Sequence, residues 1–297
     1  MASINLAYAV DDNVYRLASV SIASFLLNNQ DKDIEVFILH NGLCHEAFEE
    51  FEKLKKLKDY KLTPVCVDKE PFENLPCAWL TITAWYRLKM AKLLPQIDKI
   101  LYLDCDTICR RDISFVWNQN FENKSIIVEQ ENIARLVQKY NLESNWYFNS
   151  GVMLCNLKKW REDNITQKLL DCAYEHSDII EYPDQDVCNI VFDLDKKHFS
   201  KQSVFLTYDK DKSKKHVIIH YIGAKPFDTR CINRYKKEWW KYAKQTSFNS
   251  YFKELYNSTK KEFIKEKIFS IKEINERQQF CFMGIKISIN NKFFKKH

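Results

Sequence analysis

The chain has 297 residues, 45% hydrophobic and 29% charged, which is enough apolar material for a large domain and excludes a disordered polymer. It holds only four glycines (Gly42, Gly151, Gly223 and Gly284), where average usage would give roughly 20, and their spacing excludes both the G-x-G-x-x-G dinucleotide fingerprint and a Walker A loop. The net charge of +6 is uneven: residues 201–297 carry 20 Lys and 3 Arg against 9 acidic residues, interleaved with aromatics such as Trp239, Trp240, Phe248, Phe252, Phe293 and Phe294.

Residues 4–10 form an apolar run closed by Asp11-Asp12-Asn13 and read as a strand and turn. Residues 17–27 read as a buried helix and 34–39 as a second strand. Over 45–58, Ala47, Phe48, Phe51, Leu54 and Leu57 recur at three- and four-residue spacing, the apolar face of a helix. A third strand follows at 62–67, a helix at 83–94 stopped by Pro95, and a fourth strand at 99–103 running into Asp104. Later strands are expected at 126–129, 151–156 and 217–220, with helices at 165–175 and from 187, just after Asp184-Gln185-Asp186. This alternation predicts an α/β fold over residues 1–228, a mostly parallel sheet flanked by helices. Residues 229–297 read as a basic, aromatic, helical extension.

Ten cysteines occur without Cys-x-x-Cys or zinc spacing, and Cys66, Cys105 and Cys155 lie in apolar runs. They are expected to be reduced thiols packing as small hydrophobes. The first residues lack a basic segment followed by an apolar core, and no run of 18 apolar residues occurs. A cytoplasmic location is therefore expected. The tail suggests peripheral docking on an anionic membrane at the cytoplasmic face of an inner membrane, with lysines on phosphate headgroups and Trp and Phe at the interface.

Ligands of open α/β sheets lie beyond the carboxyl ends of the strands. Asp11, Asp12, Asn13, Asn41, Asp68, Asp104 and Asp106 stand there, an acidic set better suited to a cation than to a bare phosphate. Asp104-Cys105-Asp106 is the strongest candidate. In an extended segment, residues i and i+2 face the same side, so two carboxylates can clasp one divalent ion whose open positions take diphosphate oxygens. His220 ends an apolar strand, and imidazole beside two carboxylates suits Mn²⁺ better than Mg²⁺. Lys225 can neutralise a leaving diphosphate without a glycine loop. By spacing alone, Arg87 reads as part of a solvated helix face, and Asn149 and Gln185 carry no signal.

Taken in order, the motifs are Ala9-Val10-Asp11-Asp12-Asn13, Tyr86-Arg87-Leu88, Leu101-Tyr102-Leu103-Asp104-Cys105-Asp106, and Tyr147-Phe148-Asn149-Ser150-Gly151-Val152 continuing to Asn156-Leu157-Lys158-Lys159-Trp160. Asp184-Gln185-Asp186 and His220-Tyr221-Ile222-Gly223-Ala224-Lys225-Pro226 complete the series. Over residues 4–228 this resembles glycosyltransferase family 8, which includes glycogenin and bacterial lipopolysaccharide galactosyl- and glucosyltransferases. The resemblance implies a GT-A fold and transfer of galactose or glucose from a UDP-sugar, with retention, to a glycan or glycolipid acceptor. Ala9, Asp11 and Asn13 would hold uridine. Asp104, Asp106 and His220 would bind Mn²⁺, with Asp104 also near the ribose. Gly223 and Lys225 would meet the diphosphate, and Arg87 the sugar or its phosphate. Glu129, Asn149, Asp184 and Gln185 would line the hexose, Gln185 at the position of the debated nucleophile. Two departures stand out: one residue fewer separates Gly223 from Lys225, and Phe227 replaces a Trp. Glu129 also stands where relatives often carry Asp.

Two rivals remain at this level. A haloacid-dehalogenase-like phosphatase also places D-x-D after an apolar strand, but Ile108 stands where its motif wants Thr or Val. A nucleic-acid-binding protein would use the tail, yet no such motif is present and Lys dominates over Arg.

Overall fold

The computed structural model describes residues 3–78, 80–210, 213–274, 277–282 and 285–290, with side chains through residue 264. The chain divides into two compact units, residues 1–222 and 223–297.

In the first unit β1 (Ile4–Ala9), α1 (Tyr15–Asn28), β2 (Ile34–His40), α2 (His45–Lys53) and β3 (Lys61–Cys66) alternate as the apolar pattern requires. Ala47, Phe51 and Leu54 are buried on the expected face. The segment expected as one α-helix is instead a 3₁₀ helix, Ile82–Lys89, running into a single turn, α3 (Met90–Leu93). Ile82, Thr83, Trp85 and Tyr86 are β-branched or aromatic, types that lose rotamer freedom against an α-helical turn.

After β4 (Lys99–Leu103) come β5 (Thr107–Cys109), α4 (Ser114–Trp117), β6 (Ile126–Glu131), α5 (Ala134–Lys139) and β7 (Tyr147–Asn156). Then follow α6 (Leu157–Glu162), α7 (Ile165–Glu175), α8 (Pro183–Val191), β8 (Lys196–His198), β9 (Val204–Leu206) and β10 (Ile218–His220). β7 starts earlier than its apolar run because Asn149 and Ser150 are buried with their polar atoms bonded. α8 also starts earlier than expected, with Pro183 at its first position, so Asp184, Gln185 and Asp186 occupy the first turn. Free N–H groups and the helix dipole favour carboxylates there.

The main sheet has the order β3-β2-β1-β4-β7-β6-β8. β1 pairs in parallel with both β2 and β4, whereas β7 runs antiparallel to β4 and β6. The chain steps outward from β1 to β3 and returns on the other side of β1 as β4. This reversal opens a crevice at the carboxyl ends of β1 and β4, the usual ligand site of an open α/β sheet. A second sheet, β5-β10-β9, pairs His220 with Thr107 and so carries the histidine to the turn after β4. Trp85, Tyr86, Tyr102, Phe148 and Trp160 are buried in the core behind this crevice.

In the second unit α9 (Lys236–Ala243) and α10 (Asn249–Ile268) are helices. Beyond Ile268 the helical expectation fails: β11 (Phe269–Ile274), β12 (Arg277–Phe282) and β13 (Ile285–Asn290) form an antiparallel meander. Ile285, Ile287 and Ile289 alternate with Lys286, Ser288 and Asn290, the two-residue period of a strand. Trp239 and Phe252 pack edge-on with centroids 4.8 Å apart, and Phe227 stacks on Phe252 at 5.2 Å. Trp239, Phe248 and Phe252 are buried, so they are packing residues rather than the interfacial aromatics expected. Phe293 and Phe294 lie outside the described residues. Among the described residues no helix is long and apolar enough to cross a membrane.

The nine cysteines whose side chains are described are free thiols. Cys105 and Cys155 are buried as expected, but Cys66 is exposed, because it ends β3, the edge strand of the main sheet. Burial pushes the thiols of Cys109 and Cys172 up to about 12, which makes them poor nucleophiles.

Candidate active site

The crevice is built on Asp104. Its N–H donates to the Gly151 carbonyl at 2.7 Å, its carbonyl accepts from Thr107 Oγ1 at 2.9 Å, and its Oδ1 accepts from Tyr102 Oη at 3.2 Å. The turn to β5 presents Asp106 beside it, and the Asp106 carbonyl accepts from the Tyr221 N–H at 3.0 Å. His220 Nε2 lies 3.1 Å from Asp106 Oδ1 and 3.7 Å from Asp104 Oδ2.

These three ligating atoms all fall within 4.8 Å of one another. Asp104 and Asp106 are half-buried, and His220 is buried. Two hard carboxylate oxygens and one borderline nitrogen, converging from one side, fit a divalent cation and leave its other positions for a ligand. Gly151 makes the convergence possible. A Cβ there would collide with the His220 ring and stand 2.5 Å from Asp104 Oδ2.

Arg87 corrects the solvated-face reading, being only 4% exposed. Its Nη2 donates to Asp104 Oδ1 at 3.0 Å, Nε lies 3.1 Å from Asp184 Oδ2, and Nη1 donates to the Ser150 carbonyl at 2.9 Å. The guanidinium lies over the Tyr102 ring, 4.3 Å from its centroid. Burial opposes the Arg87 charge, but Asp104 and Asp184 outweigh it and hold the group above its ordinary value.

Burial pushes the Asp184 carboxyl up to about 6, with Asp104 adding and Arg87 and Ser150 opposing. Folded Asp184 therefore holds its proton more tightly than an unfolded aspartate at 3.8. The stability attached to it is full below about pH 4 and falls by about 3 kcal/mol as pH rises to about 6. In urea titrations of the metal-free protein, the stability of wild type relative to Asp184→Asn should shrink by about that amount between about pH 4 and 7. A pH-independent difference would contradict it.

Asn149 and Gln185 meet in one network. Asn149 Nδ2 donates to Gln185 Oε1 at 3.1 Å and to Glu131 Oε2 at 3.0 Å, while Asn149 Oδ1 accepts from the Gly151 N–H at 3.0 Å. Gln185 Nε2 donates to Tyr147 Oη at 3.2 Å and to Glu131 Oε2 at 3.3 Å. Tyr147 Oη donates to the buried Asp186 at 2.5 Å. Glu129, opposite Asn149 in the ladder, follows a bulge and is half-buried.

Asp11 lies beyond the end of β1. Its Oδ1 accepts from the Asn13 N–H at 2.9 Å, and its Oδ2 from Thr81 Oγ1 at 2.6 Å and Thr83 Oγ1 at 3.2 Å. Cys105 Sγ donates to the Ala9 carbonyl at 3.4 Å. Gly223, at φ 76°, and Lys225 belong to the second unit, where the Lys225 carbonyl accepts from the Asp228 N–H at 2.7 Å.

Sequence reasoning missed Thr81, Thr83, Tyr102, Ser150, Tyr147 and Glu131. Tyr102, Tyr147 and Ser150 stand inside the sequence motifs without a role of their own, and Glu131 lies two residues past the strand expected at 126–129, which in the structure continues to Glu131. Nothing in the sequence links Thr81 to an aspartate 70 positions away.

A family model described as Glycosyl transferase family 8 matches residues 5–231. The lipopolysaccharide 1,2-glucosyltransferase of Escherichia coli K12 is 28% identical over 296 aligned positions, covering 92% of this chain and 84% of that protein. The lipopolysaccharide 1,3-galactosyltransferase of Salmonella typhimurium is 30% identical, covering 75% of this chain and 72% of that one. Among solved structures, the galactosyltransferase LgtC in complex with donor and acceptor sugar analogs superposes with a TM-score of 0.73 at 23% identity, covering 82% of this chain and 96% of that one. That likeness supports the fold.

Proposed function

The chain belongs to glycosyltransferase family 8, and on that premise we propose that it transfers glucose or galactose from a UDP-sugar, with retention, to a glycan acceptor of the lipopolysaccharide or lipooligosaccharide type. The observation that carries this reading is the convergence of Asp104, Asp106 and His220 at the carboxyl end of β4. The relatives' names support the acceptor class. Family membership sets aside the phosphatase reading.

Asp104, Asp106 and His220 would hold Mn²⁺ or Mg²⁺. Such an ion supplies Lewis-acid stabilisation of charge on a departing diphosphate. Ala9, Asp11 and Asn13 hold the uridine, with Thr81 and Thr83 fixing the Asp11 carboxylate. Gly223 and Lys225 meet the diphosphate, where the ammonium stabilises the leaving group. Arg87 acts by holding Asp104 and Asp184 in place. Glu129, Asn149, Asp184 and Gln185 line the hexose, and their carboxylates and amide oxygens favour an oxocarbenium-like transition state. Gln185 Oε1 already accepts from Asn149 Nδ2 and the Ser150 N–H, both at 3.1 Å. That supports attack by the acceptor hydroxyl on the face the diphosphate leaves, with Gln185 positioning rather than bonding covalently. Exposed Lys253, Lys260 and Lys261 on α10 support electrostatic membrane docking in place of the buried aromatics.

The test is a panel of nucleotide sugars, each assayed for hydrolysis and for transfer with and without chelator. UDP-glucose or UDP-galactose should be consumed, with activity lost in chelator and restored by Mn²⁺. Consumption indifferent to both nucleotide and metal would refute the reading.

A further inference from the structure

The amides of Asn149 and Gln185 have almost no capacity left for a ligand. A side-chain amide offers two N–H donors and two acceptor lone pairs. Gln185 uses all four: Nε2 on Tyr147 and Glu131, Oε1 on Asn149 and the Ser150 N–H. Asn149 uses both donors on Gln185 and Glu131 and one lone pair on the Gly151 N–H. Both NH₂ groups converge on one atom, Glu131 Oε2. Glu131 Oε1 meets no donor among the described residues, and the residue is only half-buried.

We infer that Glu131 is the residue of this cluster that binds a saccharide hydroxyl, its Oε2 holding the two amides and its Oε1 accepting from the sugar. Pyranose hydroxyls are donors, and a carboxylate oxygen is the strongest neutral-pH acceptor a side chain can offer them. Glu131 lies at the last position of β6, paired with Tyr147 across the ladder, so its backbone is fixed by the sheet. The inference rests on the transferase reading above. The hydroxyl can belong to the donor hexose or to the acceptor, and separate assays distinguish them.

The experiment uses the full chain with Mn²⁺ and compares wild type, Glu131→Ala and Glu131→Gln. Calorimetry measures UDP binding, and kinetics measure hydrolysis of UDP-glucose and UDP-galactose and transfer to the β-methyl glycosides of glucose and galactose. Glu131→Ala should bind UDP within about twofold of wild type. Its KM for saccharide substrate should rise about tenfold or more, the loss of one hydrogen bond to a charged group. Glu131→Gln should recover part of this, because its carbonyl can still receive both amides. A defect in hydrolysis and transfer assigns the hydroxyl to the donor, and a defect in transfer alone assigns it to the acceptor. Unchanged kinetics in Glu131→Ala, or a parallel loss of UDP affinity, would overturn the assignment. Failure of wild type to bind UDP and to consume either UDP-hexose would instead overturn the transferase reading itself.

Discussion

Asp106→Asn should lower kcat/KM for UDP-hexose by about 10³-fold or more while leaving the fold intact. Asp106 faces His220 Nε2 at 3.1 Å and is half-buried, so its charge belongs to the metal cluster. An asparagine keeps the shape and removes the anion that a divalent cation needs. Asp104→Asn should be equally inactive and also less stable, because Asp104 shares the buried Arg87 guanidinium with Asp184. Removing one partner of a buried ion pair commonly costs about 3–5 kcal/mol, and the remaining Asp184 reduces that loss. Steady-state kinetics across a Mn²⁺ series, with urea titrations of both variants, separate the two effects. Activity of Asp106→Asn within about tenfold of wild type at saturating Mn²⁺ would remove Asp106 from the cluster.

Gly151→Ala should cost about 10²-fold or more in activity, although alanine adds a single methyl group. That methyl collides with the His220 ring and reaches 2.5 Å from Asp104 Oδ2. The strand cannot retreat, because the Asp104 N–H is bonded to the Gly151 carbonyl and Leu103 pairs with Val152. The His220 backbone is fixed between β5 and β9 and its ring is buried. The Asp104 carboxylate and the imidazole must therefore part, and the cluster opens. Gly42→Ala is the control. A Cβ there meets nothing within 4 Å, but φ is +76°, so its cost of about 1–2 kcal/mol falls on stability with activity unchanged. Kinetics and thermal melts on the pair distinguish a steric effect at the site from a general glycine effect. Full activity in Gly151→Ala would refute the cradle.

The parts of this arrangement legible in the sequence are those with local signals. Apolar runs ended by acidic residues mark β1 and β4, and the D-x-D spacing marks one half of the metal cluster. His220 comes from a strand 114 residues after Asp106, and the β5–β10 pairing, extended by the Tyr221 N–H on the Asp106 carbonyl, brings them together. Arg87 was misread because its 3₁₀ segment has no polar face: Trp85, Tyr86, Leu88 and Lys89 are all buried beside it. Glu131 lies past the strand expected at 126–129, because β6 continues beyond a bulge between Val128 and Glu129 as far as Glu131. The last strands were missed for a different reason. Residues 229–297 read as one basic, aromatic segment, and the two-residue period of 285–290 lies within it.

The scarcity of glycine, at first only an argument against phosphate loops, has a structural counterpart. Gly151 stands where Asp104 and His220 approach β7, and a side chain there would collide with both.

The most direct measurement is calorimetric titration of UDP into the full chain with Mn²⁺ and with chelator, repeated on a variant carrying both Asp104→Asn and Asp106→Asn. UDP should bind wild type with Mn²⁺ and bind at least about 100-fold more weakly in chelator or in the double variant. Equal UDP affinity in all of these conditions would contradict a metal-held nucleotide at Asp104, Asp106 and His220.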